Sequence, residues 1–187
     1  MSSLRDFPGF LVRSQNGGFT IEDWALETGR KFGFKNTDVT LGAGVTTQLM
    51  IRTTDKAMIL LERQLVGTTE KTRLRIYEEP TVTEDGTEVT DDISQQNRLV
   101  AIGPSLRMFA NPTLSNNGKL IAERIGRGQE TPPAFSTVSL SDPRSRLILK
   151  PNTVYMSEAT NMSLVEGQFD NYAMWIEIEA NLLGKLK

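Results

Sequence analysis

The sequence predicts an all-β fold, an antiparallel β-sandwich of jelly-roll type that follows one short N-terminal helix and an extended N-terminal arm. Three observations support this prediction. One β unit occurs twice, about nine or ten short strand-like segments follow one another with turn residues between them, and a single segment has helical periodicity. We expect residues 1–19 to form the arm and residues 20–187 to form one sandwich domain with the helix at its start.

The repeated unit is LRIYEEPTVTEDG at residues 74–86, which recurs as LRMFANPTLSNNG at residues 106–118. Subtracting 74 from 106 gives a constant offset of 32 residues, which aligns the copies without a gap and pairs Pro80 with Pro112. Each copy is typical of a strand ended by proline, a second short extended piece and an Asp-Gly or Asn-Gly turn. The sequence therefore predicts a duplicated β unit.

The N-terminal arm has neither helical nor strand periodicity, yet it contains apolar residues among prolines and glycines. Terminal segments are usually poorly ordered unless they dock on something. We therefore expect the arm to lie on its own domain or on a neighbouring chain. The residues predicted to bind a partner are Phe7, Phe10, Leu11 and Val12.

The helix is predicted to begin at Thr20, which resembles an N-cap, with Asp23 in the first turn. Gly29 and Gly33 limit its length. Its apolar face is predicted to pack on the sheet. The residues that share this face are Ile21, Trp24, Ala25, Thr28 and Phe32.

Strand-like segments follow the helix. Before the last one they are residues 38–43, 46–53, 57–66, 71–77, 98–102, 119–125, 146–150 and 153–158. Residues 54–56 are predicted to form a hairpin loop, 153–158 to be the hairpin partner of 146–150, and 126–143 to be a long surface loop. The last strand alternates most regularly, because Tyr172, Met174, Ile176 and Ile178 share one face while Glu177 and Glu179 share the other.

The amino-acid composition excludes several classes of functional site. The chain has 187 residues, a formal net charge of -2, no cysteine and no histidine, so disulfides, thiolate nucleophiles and the commonest metal ligand are missing. Its basic residues are scattered, so we expect no nucleic-acid partner. With no apolar run long enough for a membrane span or a secretory signal, we expect synthesis in the cytoplasm.

Seven carboxylates fall within residues 78–92, and a basic set surrounds residues 124–146. The acidic residues are Glu78, Glu79, Glu84, Asp85, Glu88, Asp91 and Asp92, and the basic ones are Arg124, Arg127, Arg144 and Arg146. The acidic segment lacks the spacing of a calcium loop, so we expect a solvated loop and no metal. Contact between acidic and basic loops of neighbouring subunits is an open alternative.

Paired carboxylates can hydrolyse glycosides without histidine, and Glu78 with Asp85 or Glu177 with Glu179 are the available pairs. Glu177 and Glu179, however, belong to the polar face of the last strand. No nucleophile, base and orienting group converge at a recognisable spacing. We therefore predict no catalytic residue, no cofactor and no small-molecule substrate.

Several segments occur in an order that resembles a family of tailed-bacteriophage virion proteins, the jelly-roll head decoration or cement proteins and related capsid-associated proteins. These segments are residues 25–33 (ALETGRKFG), 77–87, 107–121, 147–155 (LILKPNTVY), Thr160-Asn161 and the closing strand around Trp175. The resemblance spans about residues 25–180. It departs from the family where an Asn-Arg-Asn-Arg run is reduced to Asn97-Arg98 and a Gly-rich central loop is replaced by residues 126–143.

The resemblance implies a non-enzymatic structural protein on the outer surface of the virion capsid. Its partners would be the major capsid protein and the chain itself, as a homodimer or homotrimer. A different class remains open, a carbohydrate- or receptor-binding module of a head or tail fibre, for which the candidate aromatic residues are Trp24, Trp175 and Tyr77. A head-completion or tail-joining protein is a third possibility.

Overall fold

The computed structural model describes residues 21–67, 71–100, 102–127, 136–139 and 147–183. In these ranges two six-stranded sheets and one two-stranded sheet form a sandwich, which confirms the predicted all-β class. The strands are β1 (Lys31–Leu41), β2 (Thr46–Arg52), β3 (Lys56–Gly67), β4 (Lys71–Glu78), β5 (Thr81–Glu84), β6 (Thr87–Glu88), β7 (Ile93–Gln95), β8 (Arg107–Ala110), β9 (Thr113–Asn116), β10 (Lys119–Arg127), β11 (Ser136–Ser139), β12 (Leu147–Leu149), β13 (Val154–Asn161) and β14 (Gly167–Glu179). The helices are α1 (Ile21–Glu27) and α2 (Ala180–Leu183), and a 3-10 turn lies at Thr90–Asp92.

The strand order is that of a jelly roll. The first sheet runs β11-β3-β14-β1-β7, with β12 also paired to β3, and the second sheet runs β10-β4-β13-β2-β8-β6. The chain passes from one sheet to the other between β1 and β2, between β3 and β4, and between β13 and β14. Eight strands thus form the two facing four-stranded sets β1-β14-β3-β11 and β2-β13-β4-β10.

Both hairpin predictions are wrong for the same physical reason. Residues 54–56 join β2 to β3, and these strands lie in different sheets. Likewise β12 pairs with β3, whereas β13 pairs with β2 and β4. At a jelly-roll corner, consecutive strands pack face to face across the core, so a short turn between two strand patterns does not identify a hairpin.

Two other segments differ from the prediction. Residues 98–100 form no strand, because side chains take up the local backbone donors: Leu99 N donates to Asn97 Oδ1, and Ile102 N donates to Gln95 Oε1. The predicted loop over residues 126–143 contains the strand β11, which pairs with the end of β3. Four residues of Ser, Thr and Val offer little apolar alternation, so β11 depends on the edge that β3 provides.

Phe32 belongs to β1 and not to the helical face. The helix ends at Glu27, and Gly29 has a positive φ of +71°, a conformation that ends the helical run and lets the chain enter β1. Phe32 then points between the sheets, where its ring stacks on Trp175 with centroids 6.0 Å apart. The first strand is therefore longer than predicted.

Among the described residues, apolar clusters lie between the two sheets and on the outer face of each sheet. The main core lies between the sheets and includes Phe32, Trp175 and Tyr155. A second layer lies on the outer face of the first sheet, where Ala25 of α1 packs with Ile176. The third lies on the outer face of the second sheet, beneath β5 and β9. Both outer faces are thus partly covered by the chain itself.

The duplicated unit is confirmed, and its two copies interlock. Strand β5 of the first copy pairs with β9 of the second. The strand that follows each copy pairs with the first strand of the other copy, so β10 pairs with β4 and β6 pairs with β8. The register pairs Lys119 with Glu78 and Thr87 with Ala110, and the two pairs are related by the repeat offset. The copies are therefore arranged around a pseudo-two-fold axis.

This axis passes between the two central strands of the second sheet. Met50 of β2 lies opposite Met156 of β13, and both are fully buried in the third apolar layer. Tyr77 and Phe109, which occupy equivalent repeat positions, flank the methionine pair. Val82 of β5 and Leu114 of β9 complete the layer. The repeat thus builds a small second core outside the main sandwich.

Candidate functional site

The predicted arm residues Phe7, Phe10, Leu11 and Val12 lie outside the described residues. Their role in binding a partner stays a prediction. Of the basic set, Arg144 and Arg146 also lie outside that part of the chain, while Arg124 is exposed on β10. Contact between the acidic and basic loops of neighbouring subunits stays a prediction.

Three of the seven carboxylates in the acidic cluster are paired with cations of the same chain. Glu78 Oε1 lies 2.9 Å from Lys150 Nζ and accepts a hydrogen bond from the Tyr155 hydroxyl. Glu88 accepts a hydrogen bond of 2.9 Å from Arg107 Nε, and Asp85 pairs with Arg52. Hydrogen bonding from Lys150 lowers the pKa of Glu78. These carboxylates consequently stabilise the interlocked repeat, and their charge is neutralised locally.

The described residues contain no group of three or more acidic side chains placed to hold a metal ion. Glu78 and Asp85 have separate cation partners, Lys150 and Arg52. Their geometry is that of two structural ion pairs. Nothing in it resembles a general acid beside a nucleophile.

Glu177 was predicted on an exposed polar face, and this is wrong, because the carboxylate is buried. It accepts hydrogen bonds from Ser105 N at 2.9 Å, from Ser105 Oγ at 2.6 Å and from Trp175 Nε1 at 3.4 Å. The face of β14 that carries Trp175 and Glu177 points toward the second sheet, while α1 covers the opposite face. Glu179 pairs separately with Arg30. The two glutamates therefore have separate partners within the chain.

The aromatic residues considered for glycan binding are mostly enclosed. Trp175, which would have to face outward to bind a glycan, is instead fully buried against Phe32. Tyr77 lies under the β5–β9 layer. Trp24 on α1 is partly buried, with the Arg30 guanidinium 5.7 Å from its ring centroid. Neither Trp175 nor Tyr77 can serve as an exposed stacking platform.

The exposed features that sequence reasoning missed are apolar side chains on well-held loops. One group, the loop-tip site, consists of Val45, Leu164 and Val165. Buried Asn161 holds the two loops together: its Nδ2 lies 3.0 Å from Leu41 O and 2.8 Å from Val165 O. Leu164 nevertheless exposes 96% of its surface. An apolar side chain this exposed on a braced loop is suited to contact another protein.

A second group, the corner patch, consists of Leu26, Leu99 and Ile102. Gln95 Nε2 donates to Gly29 O at 2.8 Å, and Asn97 Nδ2 donates to Glu27 O at 3.3 Å. These bonds fix the loop after β7 against the end of α1.

The two groups lie beyond opposite ends of β1, an 11-residue strand. At about 3.3 Å per residue, this strand separates them by about 35 Å. The sequence signals neither site, since single leucines in loops are common in any protein.

No protein-family model and no curated protein matches the chain. Among solved structures, the chain has limited similarity to the T13 viral particle of infectious bursal disease virus, with a TM-score of 0.20 and 10% identity over 84% of this chain and 42% of that chain. The similarity to the VP2 subviral particle of the same virus has a TM-score of 0.20 and 12% identity, over 83% of this chain and 43% of that chain. The chain thus spans about two fifths of those viral chains.

Another similarity is to the CBM22-1-GH10 modules of Clostridium thermocellum xylanase 10B in complex with xylohexaose. Its TM-score is 0.17, at 13% identity over 72% of this chain and 17% of that chain. Within the described ranges, no helix has the length and apolar character needed to cross a membrane.

Proposed function

We propose that the chain is a phage virion structural protein that decorates the assembled head and cements adjacent major capsid subunits by protein–protein contacts. One observation supports this most directly. Glu78, Asp85 and Glu88 are paired with cations of the same chain, whereas braced apolar side chains stand exposed beyond both ends of β1. A rigid body with apolar contact points at separate ends is suited to bridge neighbouring proteins. The sequence resemblance supports the same role.

Stabilisation would come from binding several subunits at once. Any partner that binds only the assembled shell shifts the equilibrium toward assembly, and linked contacts multiply their individual affinities. In this proposal the loop-tip site contacts the shell. The arm, through Phe7, Phe10, Leu11 and Val12, adds a strand or an apolar anchor to a neighbour. The chain works as a homodimer or homotrimer, without catalytic residues, a cofactor or a small-molecule substrate.

Two variants test this function on purified capsids. Deletion of residues 1–19 should abolish attachment while circular dichroism still reports a folded sandwich. Leu164→Ser should reduce capsid occupancy at least about tenfold, because burial of a leucine contributes about 2 kcal/mol at each contact. Leu120→Ser on edge strand β10, also an exposed leucine, is the matched control and should bind normally. Unchanged occupancy for both test variants, measured as copies per capsid, would reject the proposal.

A carbohydrate- or receptor-binding module of a fibre is the alternative class. The burial of Trp175 and Tyr77 leaves Trp24 as the aromatic candidate, and Arg30 already lies beside its ring. Glycan-array binding that disappears in Trp24→Ala would favour this alternative. A head-completion or tail-joining protein would instead be recognised by a low copy number at one vertex of the virion.

A further inference from the structure

We infer that the outer edge of β10 pairs antiparallel with the same edge of a second copy of this chain, about a two-fold axis at Ile125. The inference rests on the proposed function and deepens it, because it names the surface through which the chain forms a homodimer. The second sheets of the two copies would join into one continuous sheet.

Strand β10 is the longer of the two edges of the second sheet. Among the described strands, β4 is the one that pairs with β10, and β6 lies at the opposite edge of the sheet. Strand β10 has nine residues, whereas β6 has two. Pairing of β10 with β6 of another copy would gain two residues and leave further edges open. Pairing of β10 with β10 uses the long edge of both copies and closes as a dimer.

The hydrogen bonds of β4 determine which backbone groups of β10 face outward. Glu79 N donates to Val154 O, and this pair continues the register of β4 with β13. At the other end of β4, Met162 N donates to Lys71 O. Bonds between two antiparallel strands involve every second residue. The odd-numbered residues of β4 therefore bond to β13, and the even-numbered ones bond to β10.

This alternation directs part of the β10 backbone toward the open edge. Leu74 of β4 bonds to β10 and lies opposite Arg124. Glu123 and Ile125, on either side of Arg124, therefore direct their backbone groups away from β4. Arg124 Nη1 donates to Glu123 O at 3.0 Å, so this outward acceptor takes a side-chain donor in the single chain. A paired strand would supply a backbone donor in its place.

The charges along this edge select a second copy and one register. A two-fold axis at Ile125 places Glu123 of each copy opposite Arg127 of the other, so both flanking pairs carry opposite charges. Ile125, which exposes 46% of its surface, meets its own counterpart at the axis. Arg124 lies opposite Gly126, which has no side chain. Two-fold registers centred on Glu123 or on Arg124 would instead bring like charges together.

The two-fold axis also reverses the strand direction between the copies. The loop-tip site lies near the end of β10 that holds Arg127, because Lys71 is opposite Arg127 and accepts a hydrogen bond from Met162 N, two residues before Leu164. The two loop-tip sites of a dimer would thus lie at opposite ends of it. This arrangement suits contact with two separate capsid subunits.

A single cysteine tests the register, because the sequence contains no cysteine of its own. The two Ile125 Cα atoms would lie about 5.5 Å apart, within the range of a disulfide. Oxidation of Ile125→Cys should therefore give a disulfide-linked dimer. Leu120→Cys is the matched control, on the same strand and similarly exposed. Its two copies would lie about 30 Å apart and should give at least about tenfold less dimer.

Ile125→Lys tests the same contact without a cross-link. Like charges would meet at the axis, so the dissociation constant of the dimer should rise at least about tenfold. Circular dichroism should still report a folded chain, since the Ile125 side chain is exposed. Ile148→Lys, at a similarly exposed isoleucine on β12 of the first sheet, is the matched control and should dimerise as the unsubstituted chain does. Sedimentation equilibrium measures both variants.

Equal cross-linking of Ile125→Cys and Leu120→Cys would overturn the inference. So would an unsubstituted chain that sediments as a monomer or a trimer. A dimer that Ile125→Lys leaves as stable as before would also overturn it.

Capsid binding separates this inference from the proposed function. Dimers that cross-link through Ile125→Cys but do not attach to capsids would reject the function and keep the edge pairing. Chains that decorate capsids without forming that cross-link would reject the edge pairing and keep the function.

Discussion

At the scale of single residues, Arg63 is the most unusual feature of the interior. It lies on β3 and is almost fully buried between the sheets. Its guanidinium donates to neutral oxygens of Ser157, Asn171, Tyr172 and Gln64. Ser157 belongs to the second sheet, so this network links the two sheets by polar contacts. Burial lowers the pKa of Arg63 to about 10, which leaves the side chain charged at neutral pH.

Arg63→Ala should destabilise the fold by about 2–4 kcal/mol, because it leaves buried oxygens unpaired and opens a cavity. The free energy of unfolding in urea measures the effect. Arg63→Met, which fills more of the volume, should cost less than Arg63→Ala. Exposed Arg98→Ala is the control and should change stability by less than about 0.5 kcal/mol. A loss for Arg63→Ala no larger than that of the control would show that the network contributes little.

At the scale of elements, the turns of the duplicated unit decide how the copies interlock. Gly86 and Gly118 have φ values of +82° and +81°, which favour glycine. A Cβ at Gly118 would lie 2.3 Å from Glu78 O, and a Cβ at Gly86 would lie 2.3 Å from Ala110 O. Each turn therefore approaches the backbone of the other copy so closely that no side chain fits.

Gly86→Ala and Gly118→Ala should each destabilise the protein by at least about 2–3 kcal/mol, since backbone strain adds to a contact with backbone atoms that cannot move aside. Gly44 provides a matched control. It has a φ of +71°, but nothing lies within 4 Å of a Cβ built there. Gly44→Ala should therefore cost only about 1 kcal/mol of strain. Urea unfolding of the three variants compares the sites, and similar losses at all three would contradict the close-approach argument.

The sequence pattern located most elements but not their partners. It predicted β2, β3, β4, β10 and β14 within one or two residues at most ends, because each has a sustained apolar or alternating stretch. It failed at residues 54–56, where the corner of a jelly roll resembles a hairpin loop. Periodicity reports which residues of a strand share a face. It does not report which strand lies beside it.

At the scale of the whole molecule, the second sheet is nearly symmetric about the Met50–Met156 pair. The pseudo-two-fold axis superimposes β13 on β2, β4 on β8 and β10 on β6. Read from either end, the order β10-β4-β13-β2-β8-β6 therefore meets equivalent strands in the same sequence. At equivalent positions, however, the hydrogen-bond donor and acceptor side chains are exchanged.

Arg52 pairs with Asp85 on one side of the axis. On the other, Asn117 Nδ2 lies 3.4 Å from Glu158 Oε1. The side chains at these equivalent positions have therefore diverged, whereas the arrangement of the strands is the same in both halves of the sheet.

Met50→Ala and Met156→Ala should destabilise by similar amounts, about 2–4 kcal/mol each, because both residues fill the same buried layer on the axis. The double variant should lose less than the sum, by about 1 kcal/mol, since the two side chains share one cavity. Denaturant unfolding of the single and double variants measures this coupling. Met162→Ala in a partly exposed loop is the control and should cost less than about 1 kcal/mol.

Strict additivity of the two single losses would show that the methionines do not share a cavity. A loss for either one equal to that of Met162→Ala would place that side chain outside the layer.

Of the candidate interaction surfaces, the sequence indicates the arm, whereas only the structure reveals the exposed leucines. The apolar arm residues stand out in the sequence because the flanking prolines and glycines exclude a regular core element. Leu99, Leu26 and Leu164 carry no such signal. Whether a leucine in a loop is buried or exposed depends on what packs against it. Here the side chains of Asn97, Gln95 and Asn161 fix the loops by hydrogen bonds and so determine that exposure.

By itself the sequence determined the all-β class, the short helix and the duplicated unit, since side-chain periodicity and turn chemistry act over a few residues. Tertiary structure alone decided that the copies exchange strands, that Trp175 and Glu177 point inward, and that Leu99 and Leu164 stay exposed. These outcomes depend on contacts between residues far apart in the chain. Their energies come from packing and desolvation, which no local pattern encodes.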